Sequence, residues 1–294
     1  MVKGRSFRLY HLGALMLAAS LLPQTSSAST LEDAQKLYRR TDFSGTIAIL
    51  KPSCPDSAPA CALIGQSYLM LGDANRSAEY LTKAVTVDPN RSSYYIWLGR
   101  AYGRKAEIAF PLAAPRDASK ARASFERALE LDPNNPDATD DLFEFYLQAP
   151  GFLGGGFDKA ARMADRIAQR DAAEGAFAKA RLAEERKDYS TEEALLRRAI
   201  QLAPKQPRRL LDLAVFLSKR GRFEESDATF REARKFAPET PRVLFREAST
   251  YIHENRNPEQ ARELLKQYLA SNAVGPDDPS KQEAQKLLRK VSGS

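Results

Sequence analysis

Apolar and small residues recur along most of the chain at the spacing of amphipathic helices, in segments separated by Gly, Pro or polar residues. Seven positions of the segment 63–89 return in the same order in the segment 213–238. They are Ile64, Gly65, Tyr68, Gly72, Leu81, Ala84 and Pro89 in the first segment, and Leu213, Ala214, Leu217, Gly221, Phe230, Ala233 and Pro238 in the second. Each segment is therefore predicted to form two helices joined by a short turn, with proline ending the unit.

Other segments follow the same template less closely. Residues 92–135 match it at Leu98, Gly99, Tyr102, Phe125, Ala128 and Pro133, with about ten extra residues between the two helices. Residues 173–206 match it at Ala176, Ala180, Leu196, Ala199 and Pro204, with Glu192 where a small residue is usual. Weaker units are predicted near 31–57, 136–172 and 241–275, and a helix near 279–292 is expected to cap the C-terminal end.

This template resembles that of the tetratricopeptide repeat (TPR) family. The resemblance implies an all-α, right-handed α-solenoid of about seven helical hairpins with a C-terminal capping helix. Its units lie near 31–57, 58–91, 92–135, 136–172, 173–206, 207–240 and 241–275. Small residues such as Gly65 and Ala84 let helices approach closely, and large ones such as Phe230 fill the space beside them. A single hairpin cannot bury its apolar face, so stability comes from stacking neighbours.

The N-terminus has the pattern of a secretory signal. Lys3, Arg5 and Arg8 precede a mostly apolar run from 9 to 22, and Ser26, Ser27 and Ala28 offer small residues for cleavage. The run is shorter than a stable transmembrane helix. Residues 1–28 are therefore expected to be removed, which places the solenoid of residues 29–294 in the periplasm or outside the cell. An uncleaved N-terminal anchor is the alternative, and no stable membrane span is expected after removal.

Charge and cysteine content narrow the class of protein. Loss of the signal lowers the formal net charge from +7 to +4, and both signs are interspersed, so no nucleic-acid surface is predicted. Cys54 and Cys61 are the two cysteines, and in an exported protein they are expected to form a disulfide. No metal site is expected, because His253 is the one histidine after the signal. No cofactor is implied, and no motif places a nucleophile beside a base.

A glycine cluster in the stretch APGFLGGGFDKA, 149–160, raises the question of phosphate binding. A phosphate loop needs Lys and then Ser or Thr after the last glycine, and a preceding strand. Here Phe157 and Asp158 follow Gly156, and the preceding residues are predicted to be helical. The cluster is therefore interpreted as a long turn after Pro150, with positive φ at its glycines and with Asp158 capping the next helix.

This turn carries three apolar side chains, Phe152, Leu153 and Phe157, which a solvated linker would not need. The preceding repeat has its own insertion, 103–120, interpreted as a second long turn with Phe110 and Leu112. Corresponding turns of neighbouring repeats lie along one edge of a solenoid, so the two are expected to be adjacent. Either they pack on each other, or they form a lip or pocket for a partner or ligand.

The first helix of each repeat is expected to line the concave face. Its outward residues carry charges of alternating sign, and Arg100 is expected to face Asp140 and Glu144 to face Arg181. The function predicted is a non-catalytic scaffold for a protein or peptide partner. A small-molecule-binding accessory of a transport system is the alternative, and an enzyme is the least favoured class. The partner-binding candidates are Arg100, Arg104, Phe110, Leu112, Asp140, Glu144, Phe152, Leu153, Phe157 and Arg181.

Overall fold

The computed structural model describes residues 27–108, 114–237, 240–271, 274 and 278–292, and they form the expected all-α solenoid. The helices are α1 (Ser27–Arg39), α2 (Phe43–Leu50), α3 (Ala58–Met70), α4 (Ala74–Val87), α5 (Ser92–Ile108), α6 (Ala114–Leu131), α7 (Pro136–Gln148), α8 (Phe157–Arg170), α9 (Ala172–Glu185), α10 (Tyr189–Leu202), α11 (Pro207–Lys219), α12 (Phe223–Phe236), α13 (Pro241–His253), α14 (Pro258–Ala270) and α15 (Lys281–Ser292). Short 3-10 turns cover Lys51–Asp56 and Gly151–Leu153.

Consecutive helices pair as seven hairpins in the described part of the chain, from α1/α2 to α13/α14, and α15 packs on the last of them. Three helices, α4, α6 and α10, end two residues before Pro89, Pro133 and Pro204, as expected where proline disfavours the helical conformation of its predecessor. The counterpart Pro238 lies outside the described residues, as do residues 1–26 of the expected signal.

Small residues lie where helices approach most closely. A Cβ atom added to Gly65 would come within 2.6 Å of Leu81 Cγ, and one added to Gly99 within 2.4 Å of Phe125 Cε1. Ala128 and Ala233 are fully buried on the second helices of their hairpins. The packing explanation of the repeat template is therefore confirmed.

The first helices of neighbouring hairpins lie side by side: α3 contacts α5, α5 contacts α7, and α11 contacts α13. We call the surface made by α3, α5, α7, α9, α11 and α13 the first-helix face. The described turns inside the hairpins, 40–42, 71–73, 149–156, 186–188, 220–222 and 254–257, form with the adjoining helix ends what we call the turn edge.

The interpretation of 103–120 as a long turn was wrong. Residues 103–108 continue α5, and residues 114–120 belong to α6, so most of the insertion lengthens two helices. The sequence from Arg104 to Ile108 consists largely of residues that favour helix, and Pro115 falls in the first turn of α6, where proline is tolerated. Phe110 and Leu112 lie between the two helices, outside the described residues.

Cys54 and Cys61 form the expected disulfide, with an S–S distance of 2.03 Å. The bond joins the 3-10 turn after α2 to the first turns of α3, and both cysteines are buried. None of the helices in the described part of the chain is long and apolar enough to cross a membrane.

Candidate functional site

The glycine cluster is a turn whose backbone groups bond to one another. The N–H of Gly156 donates to the Tyr146 carbonyl at 2.8 Å, and the N–H of Gly155 donates to the Pro150 carbonyl at 3.3 Å. Gly154 and Gly156 have φ of 91° and 140°, which confirms the expected positive values. These N–H groups are thus directed into the turn, and an incoming phosphate would not find them available.

Asp158 does not cap the following helix, contrary to expectation. The helix α8 starts one residue earlier, at Phe157, so Gly156 is its N-cap and makes no side-chain hydrogen bond there. Asp158 lies in the first turn, where its negative charge still suits the helix dipole. Because Gly156 adopts a positive φ, the chain turns into α8 without a capping side chain.

The three apolar residues of this turn have different surroundings. Phe152 exposes 83% of its surface, and Leu153 is partly buried. Phe157 is also partly buried, and the Arg186 guanidinium lies 3.8 Å from its ring centroid. Phe152 is therefore the most exposed apolar side chain of this turn. Its expected neighbours Phe110 and Leu112 lie outside the described residues, so the contact between the two apolar segments stays a prediction.

Two further apolar residues on the turn edge escaped the sequence analysis. Leu71 and Ile108 expose 51% and 55% of their surfaces and lie on the same open groove of about 620 Å³, with Tyr68 and Arg76. Ile108 was within the segment recognised as an insertion, but periodicity alone gave no sign that it stands on a helix end in solvent. The turn edge thus has apolar surface at two places.

Arg100 lies on the first-helix face and pairs with Asp141, not with Asp140 as expected. Its Nε is 2.7 Å from the Asp141 carboxylate, while Asp140 accepts a hydrogen bond from Arg170 of α8 at 3.1 Å. Consecutive residues point about 100° apart around a helix, so only one of the two aspartates can face α5. Burial raises the pKa of Asp141 to about 6 in spite of the arginine.

The expected pair of Glu144 and Arg181 is confirmed, with 2.9 Å between carboxylate and guanidinium. Arg181 also lies 3.2 Å from Glu184, which in turn contacts Lys219 at 2.9 Å. These pairs cross α7, α9 and α11 in one row. Arg104, by contrast, pairs with Glu107 on its own helix at 2.8 Å. Glu144 and Arg181 are thus the two charged candidates that pair with each other, while Arg100, Arg104 and Asp140 pair with residues that were not candidates.

Two adjoining pockets lie further along the first-helix face. The first, which we call the acid pocket, has a volume of about 220 Å³ between α9, α10 and α11 and contains Glu184, Glu192 and Asp212. The second, the arginine pocket, has a volume of about 330 Å³ and contains Arg208, Arg242 and Arg246. Asp212 and Arg246 line both pockets, so the two cavities are neighbours on the face.

Sequence models of the tetratricopeptide repeat match residues 58–91 and 116–135, and a second such model matches 154–207 and 211–285. Together they cover more than half of the chain. The chain belongs to the TPR family. No curated protein sequence shows a significant match. TPR repeats generally hold protein partners, and TPR proteins are generally non-catalytic scaffolds.

Solved structures resemble this TPR chain at low sequence identity. A TPR protein from Parabacteroides merdae superimposes with a TM-score of 0.59 at 15% identity, over 90% of this chain and 98% of that one. A thermophilic TPR protein from Thermus thermophilus gives 0.48 at 18% identity, over 76% and 98%. MamA from Desulfovibrio magneticus gives 0.41 at 16% identity, over 62% and 96%. The first of these likenesses supports the fold alone.

Proposed function

We propose that this TPR protein is a non-catalytic scaffold, exported to the periplasm or the cell exterior, that holds a protein or peptide along its first-helix face. The observation that carries the proposal is the pair of adjoining pockets on that face. They share Asp212 and Arg246 as a common wall. Apart from that wall, the acid pocket has two carboxylates beside two cations, whereas the charged groups of the arginine pocket are Arg208 and Arg242. If a segment of a partner chain crosses both pockets, each pocket would favour side chains of a different charge.

The dimensions suit a polypeptide. Alternate side chains of an extended peptide lie about 7 Å apart on one side of the backbone. The acid pocket, at about 220 Å³, is smaller than drug-sized ligand sites, which are commonly about 300–1,000 Å³, and the arginine pocket, at about 330 Å³, is at the lower end of that range. A peptide with a basic and an acidic residue two positions apart would place them in the acid pocket and the arginine pocket in turn.

The ion-pair row on α5, α7 and α9 extends this surface toward the N-terminal repeats. Arg100, Asp140, Glu144 and Arg181 are held in place by their pairs, and partly exposed pairs of this kind contribute only about 0–1 kcal/mol each. A partner that meets them therefore finds oriented charges at small cost in ordering. Arg104, at the exposed end of α5, belongs to the same proposed surface.

The turn edge is proposed as a second contact region for the same partner. Phe152 is 83% exposed, and an apolar ring held in water gains free energy when a partner covers it. Leu153 and Phe157, which flank it, shape the turn that presents it. The alternative role, a small-molecule-binding accessory of a transport system, would need a closed pocket here. The exposure of Phe152 favours an open contact surface.

Export is supported by the disulfide, because such bonds persist in oxidising compartments, and by the signal-like pattern of residues 1–28. Mass measurement of the mature protein from source cells tests it. A chain that begins near residue 29 in the periplasmic or external fraction is expected. An intact chain in the cytoplasm would contradict export.

The partner surface is tested by photo-crosslinking in the source cells. A photoreactive amino acid at Arg208, which lines the arginine pocket, is expected to capture a defined protein, whereas the same group at Arg198, on the exposed side of α10, should not. In a pull-down of that protein, Phe152→Ser with Leu153→Ser should weaken binding and leave helicity and melting unchanged. Equal capture at Arg208 and Arg198 would contradict the assignment of the first-helix face.

A further inference from the structure

One second helix departs from the others at a buried position. The fourth residue of α4, α8, α12 and α14 is small in each case, and each of these residues is fully buried: Ser77, Ala160, Ser226 and Ala261. In α10 the fourth residue is Glu192, which exposes only 7% of its surface. A long ionisable side chain thus occupies a place where these four hairpins have nothing larger than serine and where α2 has the fully buried Thr46.

Glu192 has no compensating partner at that position. Ser226, its counterpart, donates a hydrogen bond to the Ala214 carbonyl at 2.8 Å, but the Glu192 carboxyl makes no hydrogen bond or ion pair with any described residue. A buried carboxylate without a partner costs several kcal/mol. The side chain is accommodated because it lines the acid pocket, a cavity of about 220 Å³ that opens on the first-helix face.

Charged groups surround the pocket on every helix packed against α10 there. They are Arg181 and Glu184 on α9, Asp212 and Lys219 on α11, Arg220 directly after α11, and Arg246 on α13.

The cations nearest to Glu192 are already engaged. Arg181 lies against Glu144 and Glu184, and Lys219 lies against Glu184. Arg220 stacks on Tyr189 at 3.8 Å. Burial, reinforced by the nearby Glu184, accordingly raises the pKa of Glu192 to about 7 in spite of these cations.

We propose that the acid pocket receives a lysine or arginine side chain of the partner, whose cationic group pairs with the Glu192 carboxylate. Phe177, Leu196 and Val215 in the pocket wall supply apolar surface for the alkyl stem of such a side chain. With Glu192 ionised, the lining carries three carboxylates and three cations, so an entering cation meets no net positive charge. The identity of the occupant as part of a polypeptide rests on the proposed function; the cation site itself does not.

The experiment uses Nα-acetyl-L-lysine methylamide as the probe and the full-length protein, followed by NMR of the Glu192 side-chain carboxyl. The probe should bind at millimolar concentration and lower the pKa of Glu192. Its affinity should rise as the pH goes from about 6 to about 8, because the cation binds the ionised carboxylate. The uncharged Nα-acetyl-L-norleucine methylamide should bind at least about tenfold more weakly.

Variants distinguish binding of the probe at Glu192 from its general attraction to surface charge. Glu192→Gln keeps the size of the side chain and should reduce affinity for the lysine probe about tenfold and remove the pH dependence. Glu185→Gln, on the exposed part of α9, is the matched control and should bind as the unmodified protein does. Equal melting temperatures of the two variants at pH values below about 5, where Glu192 is protonated in the unmodified protein, would exclude a folding defect.

The cation site is overturned if the lysine probe leaves the pKa of Glu192 unchanged, or if the norleucine probe binds equally well. It is also overturned if an anionic probe, Nα-acetyl-L-glutamate methylamide, binds there and raises that pKa. These outcomes leave the proposed function standing whenever crosslinking at Arg208 still captures a protein. Conversely, if the lysine probe binds but crosslinking at Arg208 captures no protein, the cation site stands and the scaffold function is rejected.

Discussion

The Arg220 guanidinium carbon lies 3.8 Å from the ring centroid of Tyr189. Arg220 follows the last residue of α11, and Tyr189 is the first residue of α10 in the preceding hairpin. The same relationship joins Arg186 to Phe157 at 3.8 Å, and Arg256 lies 4.8 Å from Phe223 in the next hairpin. A row of cation–π contacts therefore connects successive hairpins along the turn edge.

Removing one of these cation–π contacts should weaken the packing between two successive hairpins. We expect Arg220→Met, which keeps the alkyl stem, to lower the free energy of unfolding by about 0.5–1 kcal/mol. Urea denaturation measures the change, and a double-mutant cycle with Tyr189→Leu isolates the pair. Arg198→Met, on an exposed part of α10, is the control. A coupling energy of zero in the cycle would show that the ring and the guanidinium stack without stabilising the fold.

Two glycines of α5 offer a test of close helix packing. A methyl group at Gly99 would meet the Phe125 ring at 2.4 Å, whereas nothing lies within 4 Å of the corresponding position at Gly103. We expect Gly99→Ala to destabilise the protein by about 1–3 kcal/mol. Gly103→Ala should stabilise it by about 0.5–1 kcal/mol, because alanine favours the helix. Thermal melts compare the two, and effects of the same sign at both positions would contradict the packing explanation.

The disulfide between Cys54 and Cys61 closes a short loop. Replacing both cysteines by alanine should lower the free energy of unfolding by about 2 kcal/mol, chiefly through the unfolded chain. Because both cysteines are buried, reductant alone should act slowly on the native protein and quickly in denaturant. Thiol labelling of the native exported protein should find no reactive cysteine. Two labelled thiols would show that the bond does not form in the cell.

Glu192 should make stability depend on pH. Its pKa rises from an ordinary 4.5 to about 7 on folding, so between these values the folded state keeps a proton that the unfolded state releases. Stability from this group is therefore lost as the pH rises through that window, by on the order of 3 kcal/mol in all. Glu192→Ala should be increasingly more stable than the unmodified protein from about pH 4.5 to about pH 7.

Urea denaturation at a series of pH values measures that difference. The pKa of Asp141 is also raised, but Asp141 is present in both proteins, so its contribution cancels in the comparison. A difference that stays constant with pH would show that Glu192 is solvated rather than buried in the folded protein.

Several features of the site were accessible from sequence, and others were not. The pair of Glu144 and Arg181 followed from the repeat spacing, because residues about one repeat apart on neighbouring first helices face each other. The partner of Arg100 was misplaced by one residue, since spacing cannot resolve a rotation of about 100° around the helix axis. Glu192 had a signal, its departure from a small-residue position, but its burial and its pocket depend on four helices together.

For the residues of the glycine-rich turn, sequence predicted the turn but not the surroundings of each side chain. The glycine cluster was correctly interpreted as a turn because the residues required by a phosphate loop are missing. That Phe152 points to solvent while Phe157 lies under Arg186 depends on where the following hairpin places its arginine. Likewise, the extra length of 103–120 suggested a long turn, but most of these residues lengthen α5 and α6. Helix is favoured there because each added turn keeps its backbone hydrogen bonds.

The repeat template by itself determined the family, the helical hairpins and the positions of close packing, because each of these depends on residues near one another in the chain or on one fixed period. Only the tertiary structure decided which charges meet, where Glu192 is buried and which apolar side chains stay exposed. Those outcomes depend on the rotation and offset of one hairpin against the next, and many side chains spread over distant segments set these together.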